Sequence, residues 1–229
     1  MTAWLAAGHR REPSAFQIAD KFFQSPLLSR QMAVLRHMLA AERFLGIVIG
    51  EEGSGKSTLM QRLMLLDNRP WSMARLGIRA GLVNRKKLAR LDRRKVAVLA
   101  EHGHLPAIFI DDAQQLSRTE LKFLVRCIWP RTGKGRLKGA VFFATPDIRS
   151  HCRRLMELAP ARAMVKQINL SPLTEEQTLS YLRLRLVGAG TGRGLPFDRR
   201  QVKSIYRISG GLPGLIDRVA RQQLSKTSH

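Results

Sequence analysis

The densest chemistry in this chain lies in nine consecutive residues, Gly50, Glu51, Glu52, Gly53, Ser54, Gly55, Lys56, Ser57 and Thr58. Gly50, Gly55, Lys56 and Ser57 fill every fixed position of the phosphate-loop pattern G-x-x-x-x-G-K-[ST]. Glycines let the backbone wrap an anion, so that successive N–H groups and the start of a following helix point at phosphate oxygens. Lys56 supplies a mobile positive charge for the β- and γ-phosphates, and the Ser57 hydroxyl supplies a ligand for Mg²⁺. The segment therefore predicts a site for ATP or GTP. Further on, the apolar run Ala107-Ile108-Phe109-Ile110 ends in Asp111 and Asp112, the layout of a Walker B motif. Asp111 is predicted to hold Mg²⁺ through its water shell, and Asp112 to orient and activate the attacking water. Thr145, after Gly139-Ala-Val-Phe-Phe-Ala144, is a polar residue at a strand end and is predicted to face the γ-phosphate.

Elements that position these residues are legible from periodicity. Phe44–Ile49 reads as a buried strand, and Leu59, Leu63 and Leu66 behind the glycine turn recur at helical spacing. Strand, turn and helix form the context that the loop requires. Ser117 and Glu120 predict a capping box that opens a helix closed by Pro130, and Lys166–Ser171 reads as a last short strand. From Pro172 the pattern is helical: Thr174 and Gln177 predict a second capping box, with Leu179, Leu182 and Leu186 on one face. Asp198 opens another helix with Val202, Ile205 and Tyr206 inward, stopped at Ser209-Gly210-Gly211, and Leu215, Ile216, Val219 and Leu224 mark the last. The predicted fold class is α/β, a P-loop NTPase parallel sheet flanked by helices and followed by a small three-helix lid. Its boundaries are an N-terminal extension over 1–20, the nucleotide-binding core over 21–172 and the lid over 173–229.

Composition narrows the partners. The 229 residues carry 40 Lys and Arg against 17 Asp and Glu, a formal net charge of +23, and such a surplus attracts polyanions. Ten basic residues and one acid, Asp92, lie between Arg69 and Lys95, and Arg131, Lys134, Arg136 and Lys138 form a second basic stretch. These four are the candidate nucleic-acid contacts. Aromatic residues make up only 6%, so duplex phosphates suit the chain better than stacking on single strands. No apolar run reaches the roughly 18 residues of a membrane span, and the N-terminal stretch lacks a signal peptide's apolar centre, which together predict a cytoplasmic protein. Cys127 and Cys152 lack metal-ligand spacing and read as free thiols; His102 and His104 read as loop residues.

The motifs in this order resemble those of the AAA+ ATPases. More narrowly, Phe22-Phe-Gln-Ser-Pro-Leu27, the loop 50–58, Ile110-Asp-Asp-Ala-Gln-Gln-Leu-Ser117, Leu170-Ser-Pro-Leu-Thr174, Tyr181-Leu-Arg-Leu-Arg-Leu186 and Ser209-Gly-Gly-Leu-Pro213 resemble the ExeA (general secretion pathway protein A) group and its MshM relatives in pilus biogenesis. The resemblance implies ATP with Mg²⁺, hydrolysis, a homo-oligomeric ring or filament, and a membrane-associated assembly partner. It implies an arginine finger acting on a neighbouring subunit, for which Arg162 is the candidate, followed by Arg153 and Arg154.

Three departures from that pattern carry consequences. The group usually has Asp-Glu where this chain has Asp111-Asp112, one methylene shorter in reach, which predicts slow hydrolysis. Its lid arginine is here Gly214, and Arg218, one helical turn on, is the candidate substitute at the nucleotide. ExeA-like chains continue into a membrane span and a cell-wall-binding region, whereas this sequence ends at His229, so any cell-wall role is expected to need a partner. The alternative resemblance is to the transposition regulators TnsC and MuB, ATP-dependent proteins that polymerise on duplex DNA.

Overall fold

In the computed structural model, residues 22–65, 107–129, 138–186 and 195–227 are described. They fall into two compact units, Gln24–Pro172 with Leu212–Gly214, and Leu173–Gly211 with Leu215 onward and the segment ending at Phe23. The first unit is built on four strands, β1 (Phe44–Ile49), β2 (Ala107–Ile110), β3 (Gly139–Ala144) and β4 (Met164–Asn169). All pair in parallel in the spatial order β2-β3-β1-β4. Every residue of β1 and β3 is buried, which is why both read as unbroken apolar runs rather than as alternating ones. The predicted last strand begins earlier than expected, at Met164, because it pairs with the whole of β1.

Register fixes what meets at the sheet's C-terminal edge. Ile49 pairs with Ala144, and the Gly50 N–H donates to the Ala144 carbonyl at 3.1 Å, so Gly50 and Thr145 leave neighbouring strands side by side. Ile110 pairs with Phe142, so Asp111 leaves the strand on the far side of β3. Sequence-distant Gly50, Thr145 and Asp111 thus line one edge in that order.

Helices cover the sheet. Helix α1 (Pro26–Ala40), which periodicity did not single out, starts on Ser25, whose side chain accepts from the Leu28 N–H. It turns Met32, Leu35, Met38 and Leu39 inward, and Gln31 reaches the Asn169 carbonyl at 2.8 Å. Helix α2 (Lys56–Leu65) leaves the glycine turn. Helix α3 (Arg118–Ile128) carries both bonds of the Ser117–Glu120 capping box and ends before Pro130, which lies outside the described residues. Helix α4 (Arg149–Glu157) follows β3 and buries Cys152 and Leu155.

The second unit packs α5 (Glu175–Leu186), α6 (Arg199–Ser209) and α7 (Pro213–Thr227, from Leu215 on) around Leu182, Ile205, Ile216 and Ala220. Thr174 and Gln177 exchange the two predicted capping bonds, at 3.1 and 3.2 Å. On α6 the buried face is Val202, Ile205 and Ser209, with Tyr206 only half-buried. One polar knot sits within this apolar cluster. Asp217 accepts from the Tyr181 hydroxyl at 3.0 Å and pairs with Arg185 at 2.6 Å, and Phe23 meets the Tyr181 ring edge-on.

Candidate nucleotide site

The loop from Gly50 to Gly55 owes its shape to glycine where the backbone turns left-handed, with φ of 78° at Gly53 and 92° at Gly55. Beyond it α2 begins at Lys56 with no acidic residue of its own in its first turn, so the positive end of the helix faces the loop. Glu51 and Glu52 are exposed, as are Ser57 and Thr58, while Lys56 is only 7% exposed. Its ammonium donates to the Gly50 and Glu51 carbonyls at 2.8 and 2.9 Å. Burial holds the Lys56 pKa below its ordinary value, against the pull of Asp112 first and then Asp111, Glu51 and Glu52. Ser54 Oγ is buried with no hydrogen-bond partner among the described residues, and it fills the space a side chain on Gly50 would need.

A hard cation needs oxygen ligands, and the loop brings two together. Ser57 Oγ donates to Asp111 Oδ2 at 2.8 Å, and Asp111 is buried. The residues present therefore fit Mg²⁺ with a nucleotide. Ser57 and Asp111 would hold the ion directly or through its water, and the glycine turn, Lys56 and the unpartnered Ser54 hydroxyl would hold phosphate oxygens.

Asp112 follows in the left-handed region, at φ 51° and ψ 40°, a conformation that aspartate tolerates better than most residues. Its N–H donates to Asp111 Oδ1 at 3.1 Å, and its Oδ1 accepts from Gln114 Nε2 at 3.3 Å. The Thr145 hydroxyl, expected at the γ-phosphate, donates to Asp147 Oδ2 at 2.9 Å, an acceptor two residues on that the sequence reading did not weigh.

Arg162 is exposed in the turn before β4, at the opposite edge of the sheet from Gly50. Six paired residues at roughly 3.3 Å each separate the two by about 20 Å. Arg153 is exposed and pairs with Glu157 at 3.3 Å, and Arg154 is exposed on the same helix. Arg218 is exposed on α7, in the second unit. Lys138 is half-buried beside β3, where its carbonyl accepts from the Phe44 N–H, whereas Arg131, Lys134 and Arg136 lie outside the described residues, as do His102, His104 and the stretch from Arg69 to Lys95. Cys152 is a free, buried thiol. Two contacts escaped the sequence reading. One is the Gln114 side chain, whose only signal was its place in Asp-Asp-Ala-Gln. The other is the Gly214 N–H, which donates to the Gly53 carbonyl at 2.9 Å.

A parallel sheet with a phosphate loop after β1 and an acidic pair after β2 has the fold of the AAA+ P-loop NTPases. Three solved structures bear this out: Cdc6p from Pyrobaculum aerophilum (TM-score 0.63, 15% identity, 95% of this chain and 65% of that one), the Saccharomyces cerevisiae Hsp104–ADP complex (0.57, 16%, 82% and 29%) and the Aeropyrum pernix ORC2 protein in its ADPNP–ADP complexes (0.54, 14%, 83% and 59%). In sequence the chain is similar to General secretion pathway protein A of Aeromonas hydrophila, 25% identical over 122 residues, which are 53% of this chain and 22% of that protein. The chain thus matches about a fifth of that relative's length. No protein-family model matches the sequence. Among the described residues no helix is long and apolar enough to cross a membrane.

Proposed function

We propose that this chain binds ATP with Mg²⁺, hydrolyses it, and uses the cycle to drive assembly or remodelling of an oligomer, as an ExeA- or MshM-like cytoplasmic component of a secretion or pilus machine with a membrane-associated partner. The observation that carries the reading is the 2.8 Å bond between Ser57 and Asp111, which joins the phosphate loop to the acidic strand end in a donor set suited to Mg²⁺. Adenine is supported by the ADP and ADPNP named for the Hsp104 and ORC2 structures. Bound Mg²⁺ neutralises charge on the phosphate oxygens. Lys56 and the loop amides hold the triphosphate, and Asp112 takes the proton from the water whose oxygen attacks the γ-phosphorus as the bond to the bridging oxygen breaks. Arg162, too far from its own loop, would act on the γ-phosphate of an adjoining subunit. The test is sedimentation and phosphate release with ATP, ADP and no nucleotide. ATP should enlarge the particle and turnover per subunit should rise with protein concentration. An Arg162→Ala subunit that leaves its neighbours' turnover intact in mixtures removes the finger, and no turnover by the wild type removes the ATPase reading.

The formal charge of +23 favours a second reading, an ATP-dependent regulator on duplex DNA resembling TnsC or MuB. Fluorescence anisotropy with a duplex at two salt concentrations separates the two, because each neutralised phosphate contributes about −0.9 to the log–log salt slope. Changing Arg131, Lys134, Arg136 and Lys138 together to Ala should flatten that slope by up to about four contacts. Unchanged affinity would exclude this stretch as the DNA surface.

A further inference from the structure

Gln114 sits in the short turn Ala113–Gln115 after the acidic pair, and its side-chain amide is bonded at both ends. Nε2 donates to Asp112 Oδ1 at 3.3 Å, and Oε1 accepts from the Thr145 backbone N–H at 3.2 Å, at the end of β3. The partners fix the direction of the amide. A backbone N–H only donates and an ionised carboxylate only accepts, so the reversed amide would face a donor with a donor and an acceptor with an acceptor. Asp112 is held from its backbone as well, through its N–H to Asp111 Oδ1 and its carbonyl to the Gln115 N–H at 3.0 Å. These contacts hold it in a left-handed conformation that a non-glycine residue adopts at some cost in energy. With Oδ1 engaged by Gln114, Oδ2 is the carboxylate oxygen with no bond to any described residue.

We propose that Gln114 is a positioning residue for hydrolysis: it clamps the Asp112 carboxylate against the end of β3 by one oxygen, leaving Oδ2 aimed for the attacking water. The inference rests on the ATPase reading above. An aspartate reaches less far than a glutamate, so its carboxylate must be placed by its backbone and its neighbours. Gln114 is the side chain that bridges from that carboxylate to a fixed strand. Both ends of its amide are taken up by Asp112 and Thr145, so its loss should leave ATP binding alone and slow the chemical step.

Two variants of the full chain separate the ends of the bridge. Gln114→Ala breaks both bonds. Gln114→Glu keeps the shape and the acceptor for Thr145 but sets a carboxylate against Asp112. Turnover should fall about tenfold to a hundredfold in both, with the ATP KM and the affinity for a non-hydrolysable ATP analogue within about twofold of wild type. Amide hydrogen exchange without nucleotide gives a readout independent of activity. The Thr145 amide should exchange about fivefold faster in Gln114→Ala and stay protected in Gln114→Glu. Slow turnover with Thr145 protected in Gln114→Glu assigns the effect to the Asp112 contact. Unchanged turnover in both variants, or a raised KM with kcat intact, overturns the proposal. Unchanged Thr145 exchange in Gln114→Ala overturns the bridge itself. A wild-type protein no faster than Lys56→Ala sinks the ATPase reading, and the catalytic role of Gln114 with it, while the exchange data still report whether the bridge exists.

Discussion

The Ser57 hydroxyl donates to Asp111 at 2.8 Å across a sequence separation of 54, a bond that holds the start of α2 to the end of β2 over the intervening strand β3. Removing either partner should act on the metal before the nucleotide. Ser57→Ala and Asp111→Asn are expected to weaken the Mg²⁺ dependence of ATP-analogue binding about tenfold or more, leaving metal-free binding nearly unchanged. Titration of a fluorescent ATP analogue with and without Mg²⁺ checks this.

Lys56→Ala should abolish nucleotide binding or hydrolysis and leave the fold intact. The same residue has a pH signature. Its folded pKa lies below the unfolded value of 10.5, chiefly through burial, so the charged ammonium costs stability at neutral pH. That cost is relieved as pH rises through the folded pKa toward 10.5. The melting temperature of wild type relative to Lys56→Met should therefore climb without nucleotide as the pH rises toward 10.5. A flat difference would mean that Lys56 titrates as though exposed.

Asp112→Asn should bind ATP and turn it over about a hundredfold more slowly. Asp112→Glu should turn over faster than wild type by restoring one methylene of reach. Its side chain suits the left-handed backbone less well, so stability should fall by about 1 kcal/mol. Equal rates for Asp and Glu would dispose of the reach argument.

Gly214 stands where the resembling group carries an arginine, yet an added Cβ would lie 3.0 Å from Gly53 Cα and 3.3 Å from its carbonyl oxygen. Both are backbone atoms and cannot swing aside. Gly214→Arg should consequently weaken ATP binding rather than restore a phosphate contact, and Gly214→Ala should do so to a smaller degree, at about 1 to 3 kcal/mol of overpacking. Calorimetry of ATP-analogue binding distinguishes this from a gain.

In the second unit, Asp217 answers both the Tyr181 hydroxyl and Arg185, with side-chain exposures of 18% for Asp217 and 15% for Arg185. Burial, followed by the Asp217 charge, pushes the Tyr181 phenol above its usual pKa, so it remains a donor well into alkali. Asp217→Ala removes the shared acceptor of the Tyr181 hydroxyl and the Arg185 guanidinium and should cost about 2 kcal/mol, or about 5 °C in Tm. Asp217→Asn should recover part of that loss.

Much of the sheet and its edge was legible because parallel strands announce themselves as continuous apolar runs and the loop as fixed glycines. Gly50, Asp111 and Thr145 could be set on strand ends from sequence alone. What was not legible depends on side-chain direction. Nothing in Thr145 says that Asp147 will take its hydroxyl, and nothing in Gln114 says that its amide will span two strand ends. Helix α1 escaped notice because its apolar face, Met32, Leu35, Met38 and Leu39, is short and interrupted by exposed Leu27 and Val34. In sequence Gly214 looks like a lost side chain, whereas its value lies in the N–H that any residue has and in the bulk that only glycine omits.

The separation of about 20 Å between Arg162 and its own loop, along six paired residues, bears on how copies of this chain can join. Since β1 and β4 are paired along their whole length, no loop movement short of pulling the sheet apart brings that arginine home. Were Arg162 the finger proposed above, it would join the back of one molecule to the front of the next. Such head-to-tail contacts do not close at two: they continue into a circle or a helix. An open array then has unlike ends, one with a loop that no arginine reaches and one with an arginine that has nothing to serve, and the fraction of idle sites shrinks as the array lengthens.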